Sequence, residues 1–104
     1  MLSASEVFSL QSLVTPTPGG IASRVLGKAP GGTVTLFAFD ADQQLTEHTS
    51  PYDAIVLVLA GAFNLTVGGV ALYAEAGSIV RLPANVPHAV DAPEPSRMLL
   101  IMIK

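Results

Sequence analysis

The segment from Phe63 to Ala74 constrains the fold more than any other part of this sequence. Apolar side chains occupy alternate positions on both sides of a Gly68-Gly69 pair, at Phe63, Leu65 and Val67 and then at Val70, Leu72 and Ala74. A two-residue Gly-Gly loop is typical of a tight β-hairpin, which would pair Val67 with Val70 and Leu65 with Leu72. Every apolar side chain of the hairpin then lies on one face.

The remainder of the chain shows the same succession of short strands and turns. Strands are predicted over residues 21–26, 33–39, 45–48, 54–60, 78–82, 88–92 and 97–103, between turns rich in Gly, Pro, Asn and Asp. No window combines sustained 3.6-residue periodicity with helix caps. The pattern therefore predicts an all-β fold, an antiparallel sandwich or barrel. Residues 1–20 are expected to form an N-terminal arm, with one short strand near Val7–Leu10.

The apolar content is higher than one small core can bury. The 104 residues fit a single domain, yet half of them are hydrophobic and 12% are charged, against about 25% in a typical soluble domain. The excess requires a ligand cavity or a subunit interface. Because Ala54–Ala60 and Met98–Ile103 are apolar on both faces, the sequence favours a homodimer.

Several classes of function are excluded by charge and residue content. The net charge is −3 and the five basic residues are scattered, so no nucleic-acid partner is expected. The chain has no cysteine for disulfide or thiol chemistry. It has neither a signal-peptide pattern nor an apolar run near the ~20 residues of a membrane helix. We therefore expect a cytoplasmic protein without a membrane partner.

The chain's two histidines both lie beside polar turns that border apolar strands. In the second of these segments a strand leads from Gly77 into Pro83, and His88 opens the next strand. Pro83 and Pro87 cannot donate to a strand ladder, so they mark the strand ends, and Asn85 tolerates the left-handed conformation that the turn needs. His48 follows the polar turn after Phe39.

Together these segments resemble the two motifs of small single-domain cupins, RmlC-like barrels of the cupin type 2 kind. Where the family's second motif has Gly, Pro, Gly, His and Asn, this sequence has Gly77, Pro83, Asn85, His88 and Ala92. Where the first motif has Gly, His, His, Glu and Gly, it has Asp42, His48, Ser50, Ala54 and Gly61. The resemblance implies a double-stranded β-helix, or jelly-roll barrel, of about nine to eleven strands, with its core over residues 33–103.

The resemblance also implies a site. In metal-binding cupins the histidines and the glutamate of the two motifs hold one divalent metal inside the barrel, so His48 and His88 are the metal ligands implied here. Zinc, iron, nickel, manganese and copper are the candidate ions. Ser50 and Ala54 occupy the two other ligand positions. Gln44, Ser50 and Asp53 are expected to line the pocket, with Asp53 one position off the inward face of its strand.

Two kinds of function remain open. One is a non-catalytic barrel that binds or senses a small organic molecule, like the cupin sensor domains of some transcription regulators. A divalent metal on the two histidines would hold that molecule. The other is a small enzyme, either a metal-dependent oxygenase or isomerase, or a metal-free acid–base catalyst in which a carboxylate such as Asp53 orients a histidine. The replacement of two metal ligands by Ser50 and Ala54 favours the binding barrel. The two retained histidines favour the enzyme.

Overall fold

Nine strands in two antiparallel sheets form almost the whole molecule. The computed structural model describes residues 1–104, with strands β1 (Ile21–Ala29), β2 (Gly32–Phe39), β3 (Gln43–His48), β4 (Asp53–Ala60), β5 (Ala62–Val67), β6 (Val70–Glu75), β7 (Ile79–Leu82), β8 (His88–Ala92) and β9 (Ser96–Ile103). The first sheet has the order β1-β2-β9-β4-β7 and the second the order β3-β8-β5-β6. This is a jelly-roll barrel, so the predicted all-β fold is confirmed.

The main core lies between the inner faces of the two sheets. Its completely or almost completely buried members include Val56 and Val58 from the five-stranded sheet and Phe63 and Leu65 from the other. Phe39 meets Phe63 edge to face, with ring centroids 5.1 Å apart. This arrangement suits the ring quadrupoles and joins the two sheets.

The hairpin forms with the predicted register. Val67 pairs with Val70 and Leu65 with Leu72, and both loop glycines have positive φ angles, 56° at Gly68 and 81° at Gly69. These angles are those of a turn that matches the strand twist. Leu65 is buried but Leu72 is exposed. The two share a face, yet β6 is the edge strand of its sheet, and on this face only Ala74 of β6 is buried in the core.

The N-terminal arm covers part of the outer face of the five-stranded sheet. Leu13 and Val14 of the arm are buried against Leu26, Leu36 and Ala38, and Phe8 packs against the same cluster. The strand predicted near Val7–Leu10 is wrong. Leu10–Ser12 forms a 3-10 turn, in which the carbonyl of Ser9 accepts hydrogen bonds from the backbone and hydroxyl of Ser12. Local bonds thus replace a strand ladder.

The arm leaves the β4–β7 side of this outer face uncovered. One cross-strand row runs from Leu36 through Leu99 and Leu57 to Ile79. Leu36 is completely buried at the arm's end of the row, whereas Ile79 is 66% exposed at the other. Ile55 and Leu57 are half-buried, while their neighbours Ala54, Val56 and Val58 face the core. Strand β4 is therefore apolar on both faces, as predicted.

The only helical segment is the three-residue turn in the arm, and no helix is long and apolar enough to span a membrane.

Candidate functional site

A β-bulge brings the two histidines face to face. Strand β3 pairs with β8 through Leu45 opposite Val90 and His48 opposite His88, with a register shift between the two pairs. Two residues separate Leu45 from His48, but only one separates Val90 from His88. In an unbroken ladder Glu47 would lie opposite His88. The extra residue instead re-aims the strand, as bulges beside functional sites often do.

The two imidazole rings converge closely. Their Nε2 atoms are 3.1 Å apart, and the ring centroids are 4.3 Å apart with the planes inclined at 73°. His88 is buried, at 6% exposure, whereas His48 is open to solvent. The rings converge from adjacent strands and line the same interior cavity, with His88 buried and His48 at the end that is open to solvent.

Backbone carbonyls determine which ring nitrogens carry hydrogen. Nδ1 of His48 lies 2.8 Å from the carbonyl oxygen of Thr46, and Nδ1 of His88 lies 3.1 Å from that of Val86. A carbonyl oxygen only accepts, so both Nδ1 atoms must donate. Each neutral ring then presents a lone pair on Nε2, and the two Nε2 atoms face the same gap of 3.1 Å. A cation between them, either a proton or a metal ion, removes this repulsion.

The donor set fits a metal ion that retains open coordination positions. Two nitrogens 3.1 Å apart can both lie about 2.0–2.1 Å from one ion, at an N–metal–N angle of about 95–100°. The Nδ1–carbonyl bonds are the outer contacts that usually hold metal-ligating histidines in place. No group of three or more His, Cys, Asp or Glu side chains comes together, so water or a ligand has to supply the other donors.

The cavity beside the histidines is small. It has a volume of about 30 Å³ and is otherwise lined by apolar side chains, those of Leu45, Val56, Leu82, Val90, Met98 and Leu100. This volume accommodates one or two water molecules, whereas pockets for organic ligands usually measure about 300–1,000 Å³. In this conformation an organic molecule can reach the histidines only from the exposed side of His48.

Gln44, Ser50 and Asp53, the three predicted pocket residues, do not line this cavity. Gln44 lines a groove of about 370 Å³ on the outer face of the four-stranded sheet. Ser50 lies in the turn before β4, where its hydroxyl accepts a hydrogen bond from the N–H of Tyr52 at 3.2 Å. A role for these residues in ligand binding stays a prediction.

Asp53 makes a different set of contacts. Its Oδ1 accepts hydrogen bonds from the N–H of Ala84 at 2.9 Å and from the exposed guanidinium of Arg81 at 3.1 Å. The Ala84 N–H, and then Arg81, hold the pKa of the Asp53 carboxylate below its ordinary value of 3.8. Asp53 therefore stabilises the turn after β7, in which Asn85 has a φ of 63°, rather than contacting either imidazole.

Some members of the site could not be identified as such from the sequence. The carbonyls of Thr46 and Val86 are backbone groups, and residue identity carries no signal for them. Met98 and Leu100 lie on the inner face of β9 by simple alternation, but only the packing of β9 beside β4 brings them under the histidines.

Comparisons with known proteins agree with this architecture. A family model described as "Cupin domain" matches residues 35–104, two thirds of the sequence. The chain belongs to the cupin family. No significant match was found among curated proteins.

Solved structures of other proteins superpose closely on this one. A conserved protein of unknown function from Streptococcus pyogenes is 30% identical with a TM-score of 0.91, over 99% of this cupin and 90% of that chain. A cupin 2 conserved barrel domain protein from Leptotrichia buccalis is 37% identical with a TM-score of 0.88, over 93% of this cupin but 47% of that chain. A cupin superfamily protein from Desulfitobacterium hafniense is 22% identical with a TM-score of 0.90, over 98% and 94% of the two chains.

Proposed function

We propose that this cupin binds one divalent transition-metal ion between Nε2 of His48 and Nε2 of His88, and that a small organic molecule binds to this ion from the solvent side. The supporting observation is the 3.1 Å approach of two nitrogens whose Nδ1 partners leave both with lone pairs. Such a pair is prearranged for a cation.

The ligand set defines what kind of ion binds and how tightly. Two neutral imidazoles without a carboxylate favour ions that accept nitrogen donors, with copper ahead of nickel and zinc in intrinsic affinity, and iron and manganese weaker. Zinc sites with catalytic activity usually have about three protein ligands. With only two, affinity is modest and several positions stay open, which suits a small molecule with its own nitrogen or oxygen donors.

The alternative is a small cupin enzyme. A metal ion held in this way would serve an oxygenase or isomerase. Without metal, the same Nε2 pair would share a proton, and the exposed His48 would exchange it with a substrate. Asp53, the carboxylate considered for orienting a histidine, is bonded to Ala84 and Arg81. The acid–base alternative therefore rests on the histidine pair alone.

Metal titration of the purified, chelator-treated protein tests the proposal. Calorimetry with Zn²⁺, Ni²⁺ and Cu²⁺ should give one site per chain in the wild type, and His48→Ala should remove it. The matched control is Gln44→Ala, which truncates an exposed residue of the same strand on the opposite face. Uptake that survives in His48→Ala, or no uptake by the wild type, would refute the metal site.

We also propose a homodimer that packs through the uncovered part of the five-stranded sheet. Ile55, Leu57, Ile79 and Ile101 form a continuous apolar strip there, because they lie in two neighbouring cross-strand rows. Large exposed apolar patches of this kind commonly mark interfaces between proteins, and self-association would bury the strip on both copies at once. The cytoplasmic location expected from the sequence stays a prediction.

A further inference from the structure

Arg97 is partly buried and has one guanidinium nitrogen without a hydrogen-bond partner. One of its guanidinium nitrogens, Nη1, exposes less than 1 Å² and has no hydrogen-bond partner, and it is the only buried side-chain nitrogen or oxygen in this state. The single salt bridge of the structure is between Arg81 and Asp53, so Arg97 forms none. Burial of an unpaired charge is costly, and native structures rarely leave it uncompensated.

The guanidinium lines a groove on the outer side of the five-stranded sheet. The groove lies between the N-terminal arm and strand β4, has a volume of about 510 Å³, and is lined by Phe8, Leu10, Gln11, Leu59, Ala60 and Arg97. This volume is within the range of small-molecule pockets. Because Met98 faces the core and Arg97 is its neighbour in β9, the groove lies on the opposite side of the sheet from the histidines.

Arg97 is the only charged residue that lines the groove. Its lining contains no acidic residue. Asp40 lines a smaller pocket of about 220 Å³ on the other side of Arg97. Its carboxylate accepts hydrogen bonds from the N–H groups of Gly19 at 2.6 Å and Ala41 at 2.8 Å, and it forms no salt bridge with Arg97. The groove thus combines four apolar side chains with one arginine that forms no salt bridge.

We propose that this groove binds a monocarboxylate with an apolar body, such as a medium-chain fatty acid or an aryl acid. The planar fork of an arginine matches the two oxygens of a carboxylate. Neutralisation on the groove side of Arg97 also lowers the cost of burying Nη1. The apolar body would pack on Phe8, Leu10 and Leu59, which no other part of the chain covers on this side. The site is separate from the histidine pair and does not depend on metal binding.

Octanoate is the probe that tests the proposal, and octan-1-ol is its uncharged counterpart with the same apolar chain. Ligand-observed NMR should show binding of octanoate to the wild type, with octanol at least about tenfold weaker because it lacks the charge-assisted bonds. Arg97→Met should weaken octanoate by at least about tenfold while leaving octanol unchanged. Lys28→Met is the matched control, since it removes one positive charge from an exposed position on β1.

Different outcomes have different meanings. Equal binding of octanoate and octanol, or undiminished octanoate binding by Arg97→Met, would overturn the carboxylate site. Failure of the wild type to bind octanoate, together with a changed sedimentation coefficient in Arg97→Met, would also overturn the carboxylate site. That result would assign the groove to a second copy of the chain. Circular dichroism melting of each variant separates loss of binding from loss of fold. Phe8→Ala, which shortens the exposed wall of the groove, should weaken octanoate and octanol alike.

Discussion

His48 lies directly opposite His88 across strands β3 and β8, although simple alternation from the Leu45–Val90 pair would put Glu47 there. One extra residue in β3 makes the difference. The candidate site therefore depends on a local irregularity of the ladder as much as on the presence of two histidines.

The two histidines should differ in their effect on stability. His48→Ala should change the free energy of unfolding by no more than about 0.5 kcal/mol, because the ring is exposed. His88→Ala should cost about 1–3 kcal/mol, because the buried ring bonds the carbonyl of Val86, which then loses its partner. Urea unfolding of the metal-free proteins measures both values. Equal costs would mean that the two rings are not placed as described.

Metal affinity should fall as the solution is acidified. A proton and a metal ion compete for the same Nε2 lone pairs, so each Nε2 atom that takes up a proton is lost as a ligand. Calorimetric titration with Zn²⁺ at about pH 8, 7 and 5.5 should give progressively weaker binding. Affinity that is constant across this range would show that the ion is held by groups other than imidazoles.

Asp53 should stabilise the fold above pH 4 more than below it. Its folded-state pKa is lowered by the N–H of Ala84 and by Arg81. The ionised carboxylate is therefore more stable in the folded protein than in the unfolded chain. That contribution is complete above the ordinary carboxyl pKa of 3.8 and is lost as the pH falls through the lowered folded-state value. Asp53→Asn should therefore be less stable than the wild type at neutral pH, with a gap that closes on acidification.

Urea unfolding at several pH values measures that gap. Glu94→Gln is the control, since Glu94 forms no salt bridge, and its gap should stay small throughout. A gap for Asp53→Asn that is independent of pH would contradict the stated role of the charge.

Ile79→Asp should convert the proposed dimer into a monomer. Ile79 is 66% exposed in the single chain and belongs to the uncovered apolar strip, so a carboxylate there would be desolvated only in a dimer. Val70→Asp is the matched control, because Val70 is 58% exposed at the edge of the other sheet. Sedimentation at micromolar concentration should show a dimer for the wild type and for Val70→Asp, and a monomer for Ile79→Asp. A monomeric wild type would refute the proposed interface.

Features of the chain that depend only on residues close together in the sequence were determined by the sequence alone. The Gly68-Gly69 turn and its register follow from positive φ angles and period-two alternation, both of which are local. Asn85 takes the left-handed conformation for the same kind of reason. The two apolar faces of Ala54–Ala60 were also evident, because alternation assigns each side chain to one face of the strand whatever covers it.

Features that depend on what packs against a segment were decided by the tertiary structure. The sequence could not show that the arm's residues pack as a 3-10 turn on the outer face instead of adding a strand, because that depends on Leu26 and Leu36 on the outer face of the first sheet. Nor could it show that Nη1 of Arg97 is buried without a partner, because the arm and β4 come from distant parts of the chain.

The histidine pair depends on both levels. The sequence supplied two imidazoles beside two turns, and the cupin resemblance implied that both face the barrel interior, although strict alternation from Leu45 would put Glu47 there and His48 outside. Only the pairing of β3 with β8, with one residue left over in β3, reverses that assignment and sets the Nε2 atoms 3.1 Å apart. A one-residue shift exchanges the two faces of a strand, and the shift is determined by the partner strand rather than by the strand itself.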